Sequence, residues 1–298
     1  EKLLKKGLTE VPDSVNLKEA LADFYLDQRN FTAAEPLLAE LEERISEKPF
    51  WQLLKGKEAL LKGRARQAIK YLTKAHQSRD DTQTTFLLAQ ACRQVGELGL
   101  AKGYLQTVVS RTRASDVRAI LISVLLDLRD YAEAARHAKV LVQANEKDSR
   151  AWLLLARAQI GAGNQKDVFH SLRQAIKYDP DNPQPHLMMA VLEEKRENLA
   201  KAEEIFKKAL ATGKNKQICY LQLLYFYQRH KKGQPEAFDK KIQTVVKEAK
   251  EEFPDVYWDI FLLPADPDAR MKVLEERLKK DQDDINSLRA LASFFRFF

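Results

Sequence analysis

The chain has 298 residues, of which 45% are apolar and 31% charged, with a formal net charge of +7. Its 10 Gly and 10 Pro, gathered mostly at turn positions, make a β-rich fold a poor reading. No stretch approaches the roughly 18 uncharged apolar residues of a membrane-spanning helix, and Glu1-Lys2-Leu3-Leu4 does not read as a signal peptide.

Residues 1–14 read as the second half of a unit whose whole form begins at residue 15. Leu4 lies 34 residues before Leu38, Gly7 lies 34 before Leu41, and Pro12 ends the segment. Six regular units follow, at 15–48, 49–81, 82–114, 115–148, 149–182 and 183–216. Each predicts two helices, because apolar residues recur at i, i+3, i+4 and i+7 before a turn and at i, i+4 and i+7 after it. The turns carry Arg29-Asn30, Lys62-Gly63, Val95-Gly96, Arg129-Asp130, Gly163-Asn164 and Glu197-Asn198, residues that tolerate turn conformations.

Four residue series keep a common step of 33 or 34. On the first helices stand Ala22, Gly56, Ala89, Ile122, Ala156 and Ala190. On the second helices stand Ala34, Ala68, Ala101, Ala134, Val168 and Ala202. Further along come Leu38, Leu72, Leu105, Ala138, Leu172 and Phe206, then Leu41, Ala75, Val108, Leu141, Ala175 and Ala209. Small residues suit places where two helices cross closely, since side-chain size there sets the interaxial distance. The clearest copy is 149–182. Trp152, Leu155, Ala156 and Gln159 form its first stripe, Gly161-Ala162-Gly163-Asn164 the break, Val168, Leu172 and Ala175 the second stripe, and Pro180 the close. Trp152 is expected to lie buried between the helices of its own hairpin. Asp148-Ser149 and Asp181-Asn182 are candidate helix caps.

The seventh unit, 217–250, is looser. Its first helix is apolar on all sides: Tyr220, Leu223, Leu224 and Tyr227 supply a core face, Ile218, Leu221 and Tyr225 another, and Phe226 a third. A covering loop at 230–235 or another chain is therefore expected. Phe238, Ile242, Val245, Ala249 and Phe253 continue into the second helix. The eighth unit, 251–284, has a short first helix between Pro254 and Pro264 and a second carrying Met271, Leu274 and Leu278. Residues 285–298 match one more first helix, ending in Phe294, Phe295, Phe297 and Phe298. The chain thus reads as a piece of a longer array. Its last helix is expected to fray or to self-associate through those phenylalanines.

A large residue, Leu-Ala three positions later, a Gly break and a terminal Pro, repeating near every 34 residues, resemble the tetratricopeptide repeat. Gln159, where the family has Tyr, and Val168, where it has Ala, depart from the pattern. The resemblance covers essentially the whole chain. It implies an all-α, right-handed superhelical solenoid of antiparallel helix pairs, with a concave groove that receives extended or helical peptides. Some members clamp a terminal carboxylate through an Asn at the ninth position of a repeat. No full repeat here has that Asn, so the function is not carried over.

No chemistry-bearing motif appears. The phosphate-cradling Gly-Lys-Ser/Thr loop and the His-Glu-x-x-His pattern are absent. Gly161-Ala162-Gly163 lacks a third glycine and follows a helix, so it reads as a hairpin turn. His137 and His170, 33 residues apart, make too few ligands for zinc. Asp281, Asp283 and Asp284 lack the glycine and terminal Glu of a calcium loop. Lysine pairs at 5–6, 207–208, 231–232, 240–241 and 279–280 are dispersed among Glu and read as solvated faces. Cys92 and Cys219 lie four repeats apart and are expected as free thiols. No cofactor or metal is implied.

A second stripe on the first helices, at positions 2, 5, 9 and 12 of each repeat, is the groove face that the resemblance implies. It supplies the candidate partner-binding residues Phe50, Leu53, Lys57, Phe86, Gln90, Arg93, Arg150, Leu153, Arg157, Leu187, Glu194, Leu221, Tyr225 and Gln228. Aromatic anchors mixed with cations suit an interface. The expected function is a non-catalytic scaffold or adaptor binding a peptide or protein segment. The alternatives are RNA or another polyanion on the basic groove residues, and a structural arm of a bacterial envelope or exopolysaccharide-export assembly. Nucleic acid is the weaker reading, because the charge is mild and dispersed. A soluble cytoplasmic or periplasmic protein fits the composition, and the sequence does not choose between the two.

Overall fold

The computed structural model describes residues 1–231, 235–254, 256, 258 and 267–280. The chain within them is all-α, a tandem array of helix pairs. Helix α1 spans Lys2–Glu10. The pairs are α2 (Val15–Asp27) with α3 (Phe31–Ile45), α4 (Pro49–Leu61) with α5 (Ala65–Ser78), and α6 (Thr82–Gln94) with α7 (Leu98–Thr112). Next come α8 (Ser115–Asp127) with α9 (Tyr131–Ala144), α10 (Ser149–Gly161) with α11 (Gln165–Tyr178), and α12 (Pro183–Lys195) with α13 (Leu199–Ala211). Last are α14 (Lys216–His230) with α15 (Pro235–Glu252), and α16 (Pro267–Lys280). The short first helix expected between Pro254 and Pro264, and the helix expected at 285–298, lie outside the described residues.

Helix starts follow from local chemistry. Ser14, Asn30, Asp81, Asp148 and Asn182 each accept a hydrogen bond from a backbone N–H of the first turn, at 2.8–3.4 Å. Pro49 and Pro183 open α4 and α12, where a missing N–H costs nothing.

The hairpin turns share one geometry. Arg29, Gly63, Gly96, Arg129, Gly163 and Glu197 all adopt left-handed backbone, with φ between 54° and 83°. The residue after each donates its N–H five residues back, from Asn30 to Tyr25, Arg64 to Ala59, Glu97 to Cys92, Asp130 to Leu125, Asn164 to Gln159 and Asn198 to Glu193, at 2.8–3.0 Å. This closure satisfies carbonyls that the ending helix leaves open.

All four periodic series are buried. The chain divides into two compact units, Glu1–Ser171 and Leu172–Phe298. In the first unit, first helices approach one another at α2–α4, α4–α6 and α8–α10, and each second helix also packs on the next first helix at α3–α4, α5–α6 and α7–α8. Helix α4 is therefore covered on nearly every side, including Gln52, Lys57 and Glu58. The largest core cluster there gathers Leu105, Leu121, Ile122, Leu125, Leu141 and Leu155. The second unit has its own core, with Phe206, Leu224, Phe226, Tyr227 and Trp258 fully enclosed.

Two expectations need correction. Trp152 is half-buried rather than enclosed. Its indole N–H donates to the Glu146 carbonyl at 2.7 Å, and its ring meets His170 edge-on at 5.7 Å. Leu155 and Ala156 already fill the space between the helices, so the larger ring covers the edge of the hairpin. Phe226 does not form a separate outward face. It packs on Phe206 with ring centroids 5.2 Å apart and is buried, whereas Ile218 and Tyr225 remain exposed at 51% and 37%. Cys92 and Cys219 are free thiols, both buried.

Candidate functional site

The candidate groove residues fall into three groups. The first is enclosed. Leu53 is buried at 4% exposure, and Phe50 is half-buried between two clusters of the first unit. Lys57 is 5% exposed, and its ammonium lies 2.5 Å from Asp23 Oδ1 and 2.6 Å from Asp27 Oδ1. A buried lysine with two carboxylates is already satisfied, so Lys57 is a tie between α2 and α4 rather than a docking cation.

The second group is half-buried against a core. Phe86 packs on the main cluster of the first unit, and Leu187 and Leu221 pack on that of the second. Gln90, Leu153 and Gln228 are half-buried, and Tyr225 is exposed. Glu194 is spent in the same way as Lys57. Arg229 grips both of its oxygens at 2.8 Å, and His230 Nε2 lies 2.9 Å from Oε1. Burial pushes the Glu194 carboxyl up. The hydrogen bonds from Arg229 and His230 outweigh that and hold it below the usual glutamate range.

The third group is open. Arg93 on α6 and Arg150 and Arg157 on α10 are exposed, and their guanidiniums have no ion-pair partner among the described residues. Asp116 is the one carboxylate at the stripe positions of the second to fifth repeats. Across the second to fifth repeats the open part of this face therefore carries more cations than carboxylates, with half-buried Phe86, Leu153 and Ile160 on α6 and α10.

Sequence reasoning missed the partners Asp23, Asp27, Arg229 and His230. A signal was present: opposite charges stand about one period apart, 34 residues for Asp23 and Lys57 and 35 for Glu194 and Arg229. Among the described residues no group of His, Cys, Asp and Glu is placed to hold a metal ion. Both thiols are pushed up to about 11 by burial, which removes the thiolate that cysteine chemistry needs. No described helix is long and apolar enough to cross a membrane.

The sequence profile described as "Tetratricopeptide repeat" matches residues 121–167 and 170–216. No curated protein matches the chain. Several solved structures do. YrrB, a TPR protein with an unusual peptide-binding site, is 16% identical over 61% of this chain and 95% of that chain, with a TM-score of 0.51. The APC/C hetero-tetramer Cut9–Hcn1 is 18% identical over 75% of this chain and 45% of that chain, with a TM-score of 0.53. A MamA structure is 16% identical over 57% of this chain and 94% of that chain, with a TM-score of 0.50. At such identities the likeness is one of fold.

Proposed function

We propose that this chain, a tetratricopeptide-repeat protein, is a non-catalytic scaffold that binds a peptide or protein segment along the first-helix face of its repeats. The observation that carries the reading is the cationic surface of Arg93, Arg150 and Arg157, open beside half-buried apolar side chains on α6 and α10. A side chain that is exposed, charged and unpaired costs little in the free protein and gains most when a partner supplies its acceptor. The stripe thus favours a segment that alternates carboxylates with apolar residues. YrrB, which has a peptide-binding site, lends support through shared fold only.

The reading is tested by selecting peptides from an unbiased display library on the purified chain. Affinity of a selected peptide is then compared for Arg157→Glu and Phe86→Ala by fluorescence anisotropy. Arg157→Glu should weaken binding roughly tenfold or more, the worth of a charge-assisted hydrogen bond, with an unchanged melting temperature. Full retention of binding in both variants sinks the assignment to this face. Steep loss of RNA binding with salt, in the absence of any selected peptide, would favour a polyanion instead.

A further inference from the structure

On the second helices of the first unit, α7 and α9 leave a cleft of about 390 Å³, lined also from the start of α8. Three guanidiniums line it: Arg113 from the end of α7, Arg118 from α8 and Arg136 from α9. The single carboxylate in the lining, Glu133, is already engaged. Lys102 holds its Oε2 at 2.6 Å, while Gln106 and Arg136 donate to its Oε1 at 2.8 and 3.2 Å. Arg113 is exposed, with no side-chain partner among the described residues.

Arg118 is the most telling of the three. Its Nη1 lies 3.0 Å from His137 Nδ1. A guanidinium only donates, so Nδ1 must be the acceptor and His137 carries its proton on Nε2, 3.8 Å from Glu133 Oε1. Arg118 therefore spends its charge on a neutral imidazole rather than on a carboxylate. Burial, with the Arg118 and Arg136 guanidiniums, holds His137 below the usual histidine range. The groups facing it are Arg118 from α8, Glu133 and Arg136 on its own helix, and Gln106 and Arg113 in the α7 wall of the cleft.

We propose that this cleft is a binding site for a phosphate monoester group. Three guanidiniums from three elements match the three terminal oxygens and double charge of a phosphoryl group better than the two oxygens and single charge of a carboxylate. The volume suits a small phosphomonoester or a single modified side chain and lies at the small end of ligand pockets. The site lies between α7 and α9, with Arg118 from the start of α8, and shares no residue with the first-helix face proposed above.

The test uses the full chain at pH 7.5, where a phosphate monoester is largely dianionic. Binding of methyl phosphate, methyl sulfate, and a capped phosphoserine peptide with its unphosphorylated twin is measured by calorimetry. In parallel the His137 ring signal, identified by its loss in His137→Gln, is titrated by NMR. Methyl phosphate should bind saturably and raise the His137 pKa. Arg113→Ala/Arg136→Ala should weaken it at least tenfold at unchanged helicity. Glu133→Gln should tighten it severalfold by removing a carboxylate from beside a dianion, a gain that a merely structural role would not produce. Phosphopeptide binding more than tenfold tighter than methyl phosphate assigns the group to a modified protein, and equal affinity assigns it to a free small molecule. The proposal is overturned if neither phosphate compound moves His137 at millimolar concentration. It is equally overturned if methyl sulfate or the unphosphorylated peptide binds as tightly, or if the arginine variant binds unchanged.

Discussion

Adding one methyl group at Gly56 tests how closely this array is packed. A Cβ built there would lie 2.5 Å from Leu72 Cγ and 2.6 Å from Leu72 Cδ2, with the Leu72 backbone N at 3.3 Å. Leu72 is fully enclosed, so its side chain has no free space into which to rotate. The α5 backbone must then move away from α4. Overpacking of this kind costs about 1–3 kcal/mol. Against it stands the helix preference of Ala over Gly, about 1 kcal/mol in an interior position. The net expectation for Gly56→Ala is a loss of up to about 2 kcal/mol. Ala22, Ala89, Ala156 and Ala190 hold the equivalent position in other pairs, so a Cβ as such is compatible with the hairpin. The close approach belongs to α4 and α5. Leu72→Ala alone should cost about 2–5 kcal/mol through its cavity. The double variant should be better than the sum of the two by roughly 1 kcal/mol or more, because each change relieves the other. Urea unfolding gives the totals. Hydrogen exchange resolves α4 and α5 from the rest, which matters because repeat arrays need not unfold in one step. A stabilising Gly56→Ala, or an additive cycle, would refute the close-packing argument and leave helix propensity in charge.

Arg129 holds a left-handed turn at φ 60°, so Arg129→Gly should stabilise the chain by about 0.5–1 kcal/mol in chemical denaturation. Gly163→Ala, at φ 71° in the next turn, should cost a similar amount. Cys92 and Cys219, pushed up to about 11 by burial, should react with a disulfide reagent at pH 8 far more slowly than a free thiol, and rapidly only in denaturant. Glu194 is held below the ordinary glutamate range, about 4.3. Its contribution to stability should therefore be complete above that pH and be lost as pH falls through the lower folded value. Glu194→Gln should flatten this part of the acid-unfolding curve of the second unit, followed by near-ultraviolet dichroism of its aromatic core.

The periodic features were legible in the chain by itself. Small residues such as Ala22, Ala89 and Ala156 recur because helices cross there, and the series they belong to are all buried. Gly63, Gly96 and Gly163 marked turns because glycine pays no steric penalty for left-handed backbone. Arg29, Arg129 and Glu197 stand at the same step in the same conformation, and nothing in those residue types announces it. The five-residue backbone closure imposes it whatever the side chain. A helical pattern also says which face a residue lies on, but not what the neighbouring helix brings to that face. That second fact depends on the stacking offset between helices, which tertiary packing alone sets. It turned Lys57 and Glu194 from candidate contacts into internal ties. It drew Phe226 into the core beside Phe206, and left Trp152 at an edge that Leu155 and Ala156 had already filled. It also brought Arg118 to His137, across 19 residues and two helices, where no single-helix periodicity could place them together.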